Sequence, residues 1–368
     1  MTTASLTSHV RGRSSALAHS VRPTTWRAAL TIDMSRAAVA APIRVGIAIA
    51  VVLIVGGLTG HRDIAGFAAL GAVIAAFCRP DPYRVRAGRL FAIGVGIVAA
   101  TAAGGVLGTL HAPASVQIIA VAVLAGLAAL LVGMLRIVGP GAVIFVFAAA
   151  AAVGSVHDTD MLRRAVIATA LGAIVGAIAS LAPWLLGRAR SEHTKYESVW
   201  RMLTRAPQKE LVSNCVRIVV ASAASAAAAT ALGLSHPMWA AMGAMTALQG
   251  IAYHVTVQRG VQRLLGNIAG AALAAILLGI GLGYWGAVIA IVIFQVVAEI
   301  MSTVNYALCS MAVTPMALLL TALSAGLTPA AAVDRIADTL IGVVIGIVVA
   351  ALTITRGDLR ALTSVRTA

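Results

Sequence analysis

Lysine is nearly absent. Lys195 and Lys209 are the only two among 27 basic residues, and neither follows a glycine. A phosphate-cradling GxxxxGK[ST] loop is therefore excluded, and the HExxH and GxSxG patterns are missing as well. Cysteine is scarce too. Cys78, Cys215 and Cys309 lie in or beside apolar segments without metal-ligand spacing, so they read as buried thiols and imply neither disulfide framework nor metal. Charged residues make up 11% of the chain. Apart from the ends, one long polar stretch stands between apolar runs, Arg188 to Lys209, and it is too small to bury a core of its own. No soluble catalytic domain is expected, and the chain is not read as an enzyme or as a cofactor binder.

What is abundant is apolar surface. Hydrophobic residues are 60% of the chain and mean hydropathy is +0.98, well outside the soluble globular range. The formal charge of +15 would suit a nucleic-acid binder, but the arginines cluster between apolar runs, each of roughly the 17 to 25 residues that cross a bilayer. The partner implied is the lipid bilayer, not nucleic acid, and the charge is a topology signal. The expected fold is all-α, a polytopic transmembrane helical bundle. Its spans fall near 39–58, 64–78, 90–110, 116–135, 141–156 and 163–186, then 214–233, 237–252, 264–282, 285–301, 305–324 and 336–355. That is about twelve, the second of each half being short enough to be tilted or re-entrant.

The organisation expected is a basic cytoplasmic tail (1–38), a first transmembrane repeat (39–187), a cytoplasmic linker (188–212), a second repeat (213–356) and a cytoplasmic tail (357–368). The tail lacks the apolar core of a cleaved signal peptide, and Met34 competes with Met1 as the start. Most basic residues fall on the side of both termini, which the positive-inside rule makes cytoplasmic, in a cell inner membrane. Arg163, Arg164 and Arg335 fall on the other side, offset in part by Asp158, Asp160 and Asp334.

Internal repetition supports the division. Arg217 lies 173 positions beyond Arg44, His236 lies 175 beyond His61, Arg263 lies 174 beyond Arg89, and Gly342 and Gly346 lie 170 beyond Gly172 and Gly176. Such near-constant offsets, with an even number of spans in each half, predict two parallel six-helix repeats related by an axis along the membrane normal. A homo-oligomer is compatible with this arrangement.

The candidate site follows from polar residues inside apolar runs. Arg259, Arg263 and Asn267 share a helical stripe that Arg89 partly repeats; paired guanidinium groups there suit a carboxylate, while lipid phosphates offer the alternative. Trp239 and Gln249 would line an aromatic-binding cavity. Asn305 and Thr314 share a span with Pro315, whose missing amide frees a carbonyl one turn earlier. Glu299, the only Glu within an apolar segment, is the candidate to carry a coupling proton, or else the partner of an arginine such as Arg136. Asp338 is a second carboxyl, with Arg335 near in sequence. Asp158 and Asp160 read as helix caps before metal ligands.

The stretch Pro237, Trp239 and Ala240, then Arg259 and Arg263, then Gly266, Asn267 and Gly270 resembles the fusaric acid resistance (FUSC), or aromatic acid exporter, family. Asn305-Tyr306, Thr314-Pro315 and RIADTLIG from Arg335 to Gly342 resemble its later motifs, and the first half is a degenerate copy. Asn267 stands where the family commonly has Thr, and the large cytoplasmic domain of many members is missing. The resemblance implies export of aromatic carboxylates or similar small organic anions, and is distantly similar to plant malate channels. A passive anion channel or a lipid-linked transporter is the alternative, ahead of a scaffold or a membrane-embedded transferase.

Overall fold

The computed structural model describes residue 26 and residues 30–187, 197–249, 253–326 and 328–354. Most of the basic N-terminal tail, the linker from 188 to 196 and the C-terminal tail lie outside these. Thirteen α-helices and no strand occur among the described residues. Helices are what a chain with so few polar partners must form in lipid, because each satisfies its own backbone groups.

In the first half α1 is Ala40–Leu58, α2 Arg62–Ala72, α3 Tyr83–Thr109, α4 Ala114–Met134, α5 Val143–Ser155 and α6 Thr159–Leu185. A short helix α7, Val199–Thr204, precedes the second half: α8 Lys209–Ala231, α9 Pro237–Leu248, α10 Tyr253–Ile280, α11 Gly283–Val304, α12 Tyr306–Ala325 and α13 Ala330–Leu352. Proline marks several starts, before α3 (Pro82), α4 (Pro113) and α13 (Pro329) and at the first position of α9 (Pro237). Asp158 caps α6 by accepting from the Met161 amide at 2.7 Å, the capping role expected of it.

Among the described residues, nine helices are long and apolar enough to cross a membrane. The other three expected spans are short: α2 has 11 residues, α5 has 13 and α9 has 12. A helix of that length rises about 16 to 20 Å, well short of a hydrocarbon core of about 30 Å. Ile47, Phe91, Ile119, Leu171, Ile276 and Ile289 are exposed on the outside of the bundle, where lipid chains would solvate them.

The helices pack in a fixed pattern. Within the first half α2 lies along α6, α3 along α5 and α6, and α1 against α2. Within the second, α9 lies along α13, α10 along α12 and α13, and α8 against α9. Between halves α1 packs on α11 and α8 on α4. Glycine permits the closest approaches. A Cβ on Gly172 would overlap the Ala68 carbonyl of α2, and one on Gly342 would overlap the Ala240 carbonyl of α9. Gly172 and Gly342, which keep a constant offset between the two halves of the sequence, thus sit where two backbones touch.

Candidate functional site

The largest concentration of buried polar groups lies in the second half, where α10, α12 and α13 meet. Its centre is Asn267, at the middle of α10 and 1% exposed. The Asn267 amide nitrogen donates to Thr339 Oγ1 of α13, and its oxygen accepts from the Ser310 and Thr314 hydroxyls of α12. Gly266 and Gly270 flank Asn267 because α12 is too close for side chains there. A Cβ on Gly270 would stand 2.6 Å from the Met311 carbonyl, the group that Pro315 leaves without its helical donor. The asparagine thereby reaches two neighbouring helices at once.

Two guanidinium groups border this network. Arg263, on α10, is buried, and Tyr306 Oη lies 3.2 Å from its Nη1. Arg335, on α13, is also buried and lies over the Trp239 ring, 4.9 Å from its centroid. The Nε of each has no hydrogen-bond partner, and neither arginine has a carboxylate within ion-pair distance among the described residues. His236 stacks on Trp239 at 4.1 Å, and its Nδ1 is 3.5 Å from Asp334. Burial holds the His236 imidazole below its ordinary value against the opposing pull of Asp334.

The expected site residues divide between this cluster and other places. Arg263, Asn267, Thr314 and Trp239 come together in it, with Arg259 at its edge, 5.8 Å from the Tyr306 ring centroid. Arg89 instead forms an ion pair of 2.6 Å with Asp81 in the first half. Its neighbour Arg86 donates to the Arg79, Asp81 and Ser180 carbonyls, so these first-half arginines hold a loop. Asn305 caps α12 through the Ala307 amide at 2.7 Å and donates to the Thr31 carbonyl. Gln249 lies at the junction of the halves. With its amide oxygen turned inward it accepts from the Ala142 and Val143 amides at 3.2 Å, satisfying orphan donors at the start of α5. Gln249→Ala is expected to lower stability by about 1 kcal/mol while leaving anion affinity unchanged, which thermal unfolding and equilibrium binding would check.

Glu299 is 5% exposed and accepts from Gln295 Nε2 at 3.0 Å. The arginine beside it is Arg79, with Nη2 at 2.8 Å from Oε2, rather than Arg136. Arg79 follows the 3-10 turn Val73–Ala76 in the first half, so the pair ties the halves together. Spacing could not reveal it, because the two residues lie far apart in sequence and meet where α11 packs on α1.

Four contributors were not among the predicted binding residues: Ser310, Tyr306, Arg335 and Thr339. The RIADTLIG segment carried the signal for the last two, since Arg335 and Thr339 are one helical turn apart. Between the halves, α2 faces α12 and α5 faces α9. There the gap narrows to a cavity of about 10 Å³ bounded by Phe67, Leu70, Phe147 and Leu320, scarcely room for one water.

No curated protein and no solved structure matches this chain. Residues 223–349, which contain Trp239, both arginines and the whole Asn267 network, match the family model described as fusaric acid resistance protein-like. Over that stretch, about a third of its length, the chain is similar to the fusaric acid resistance protein-like family, and its described residues form a polytopic bundle of apolar helices.

Proposed function

We propose that the chain is an inner-membrane transporter that exports aromatic carboxylates or similar organic anions, and that the anion binds between Arg263 and Arg335 with Asn267 and Thr314 beside it. The observation that carries this reading is the pair of buried guanidinium groups with no carboxylate within ion-pair distance among the described residues, inside an apolar bundle. A buried charge without a partner is costly, and a visiting carboxylate would relieve the cost by accepting charge-assisted hydrogen bonds. Trp239 and Tyr306 provide flat apolar faces beside the two arginines, which suits an aromatic acid. The likeness of residues 223–349 to the fusaric acid resistance protein-like family and the many apolar helices support the transport role itself.

The same reading includes a two-repeat architecture with both termini cytoplasmic. Every packing pair named for the first half has a counterpart in the second, and the exchange of α1 and α8 between halves is reciprocal. The short helices α2 and α9 are counterparts, each held by a glycine of the last helix of its own half. On this view the twelve elements are two sets of six, with the short helices α2, α5 and α9 each completing its crossing together with the chain that adjoins it.

The test is efflux of labelled 4-hydroxybenzoate from proteoliposomes. Arg263→Gln and Arg335→Gln are each expected to weaken the apparent affinity by about 10- to 100-fold, the range of a lost charged hydrogen bond. Flux that is indifferent to both substitutions would overturn the site. Flux that saturates at no concentration would favour the passive channel.

A further inference from the structure

Among the described residues, one buried carboxyl in this cluster has no hydrogen-bond partner. Asp338 is 0% exposed, and neither carboxyl oxygen has a hydrogen bond. It lies on α13 between Arg335 and Thr339, next to the residue that binds Asn267, and no arginine among the described residues comes within ion-pair distance of it. The other buried acid among the described residues is treated differently: Glu299 has both Gln295 and Arg79. An ionised carboxylate in such a place would repel an incoming anion, whereas a protonated one would not.

We propose that Asp338 is the proton-binding group of this site, and that an organic anion binding at Arg335 and Arg263 is accompanied by uptake of one proton on the Asp338 carboxyl. The inference rests on the anion-binding reading given above. The step is an acid–base equilibrium: a solvent proton is transferred to a carboxylate oxygen, no other bond changes, and the charge of the anion is balanced by that proton.

The surroundings limit which other groups could take the proton. On its own helix Asp338 has Arg335 and Asp334 nearby; α9 contributes His236, in contact with Asp334; α10 contributes Arg259 and Arg263; α8 carries Arg217 besides the buried Ser222 and Ser225. Arginines remain charged throughout the useful range, so His236 and Asp334 are the competitors. Both are about a quarter exposed and lie one turn toward the start of α13, where they would give solvent protons a route to Asp338.

The experiment uses the full-length protein in detergent with benzoate as the probe, whose carboxyl is its only titrating group. Affinity is measured by calorimetry from pH 5.5 to 8.5, and proton uptake with a pH dye in weak buffer. Wild type should take up close to one proton per benzoate above the titration of Asp338, and its affinity should fall up to tenfold per pH unit there. Asp338→Asn should bind benzoate at pH 8 at least as well as wild type, with little pH dependence and no proton uptake. His236→Gln should keep the uptake. Proton uptake that persists in Asp338→Asn, or wild-type binding with no uptake, would overturn this inference and leave the anion site standing. Absence of benzoate binding in wild type at every pH would instead remove the anion site, and the inference with it. Should Asp338→Asn not fold, Asp338→Glu keeps the carboxyl and is expected to retain uptake with a displaced pH midpoint; identical pH profiles for Asp338→Glu and wild type would count against the proposal.

Discussion

Gly342→Val is expected to abolish the folded protein, while Gly279→Val leaves it intact. Gly342 rests on the backbone of α9, and a side chain there would meet the Ala240 carbonyl and stand 2.8 Å from the Ala244 nitrogen. Neither is the movable end of a flexible side chain, so α13 would have to separate from α9 along its length. That separation would also pull Thr339 from Asn267 and Arg335 from Trp239. The cost should be on the order of 4 kcal/mol or more, in the range reserved for severe core defects. Gly172→Val should fail in the same way, since Gly172 makes the corresponding approach to α2. At Gly279 no atom lies within 4 Å, and a valine would simply face lipid. Fluorescence-detected size exclusion with a heating series would separate the outcomes. A monodisperse Gly342→Val protein with wild-type thermal stability would refute the packing described.

Glu299→Gln should destabilise the protein by about 2 to 4 kcal/mol, and the double change with Arg79→Gln should recover most of that loss. Removing one member of a buried pair leaves the other charge without compensation, whereas removing both leaves two neutral groups able to hydrogen-bond. The lower part of the quoted range applies because Arg79 keeps 19% of its side chain exposed. A double-mutant cycle on unfolding midpoints measures the coupling directly. The same variants address the proton-carrier role expected of Glu299. If that role holds, Glu299→Gln will lose its dependence on a proton gradient at unchanged stability; an ion pair that mainly joins α11 to the first half predicts the reverse.

Much of the bundle was legible in the sequence. A chain that is mostly apolar and holds arginine between its runs satisfies its backbone as membrane helices, but apolar runs alone started α10 at 264 and α3 at 90 where the helices begin at Tyr253 and Tyr83, because their first turns carry arginine. Arg263, Asn267, Thr314 and Trp239 were legible for a related reason: a polar side chain in an apolar run needs a partner, so its position alone marks it. What sequence could not supply was the identity of that partner. Gln249 looked like a lining residue and is a cap for α5, because the junction of the halves brings it to orphan amides. Glu299 met Arg79, and Arg89 met Asp81. Short α2, α5 and α9 resemble spans in composition, yet their lengths are decided by where the backbone turns inside the protein. Composition and periodicity thus determined the class, the helices and the polar positions, since these depend on local chemistry in lipid. Tertiary structure alone decided which charges are neutralised and which, such as Arg335 and Asp338, have no bonded counterion among the described residues, since pairing depends on distances that no spacing along the chain encodes.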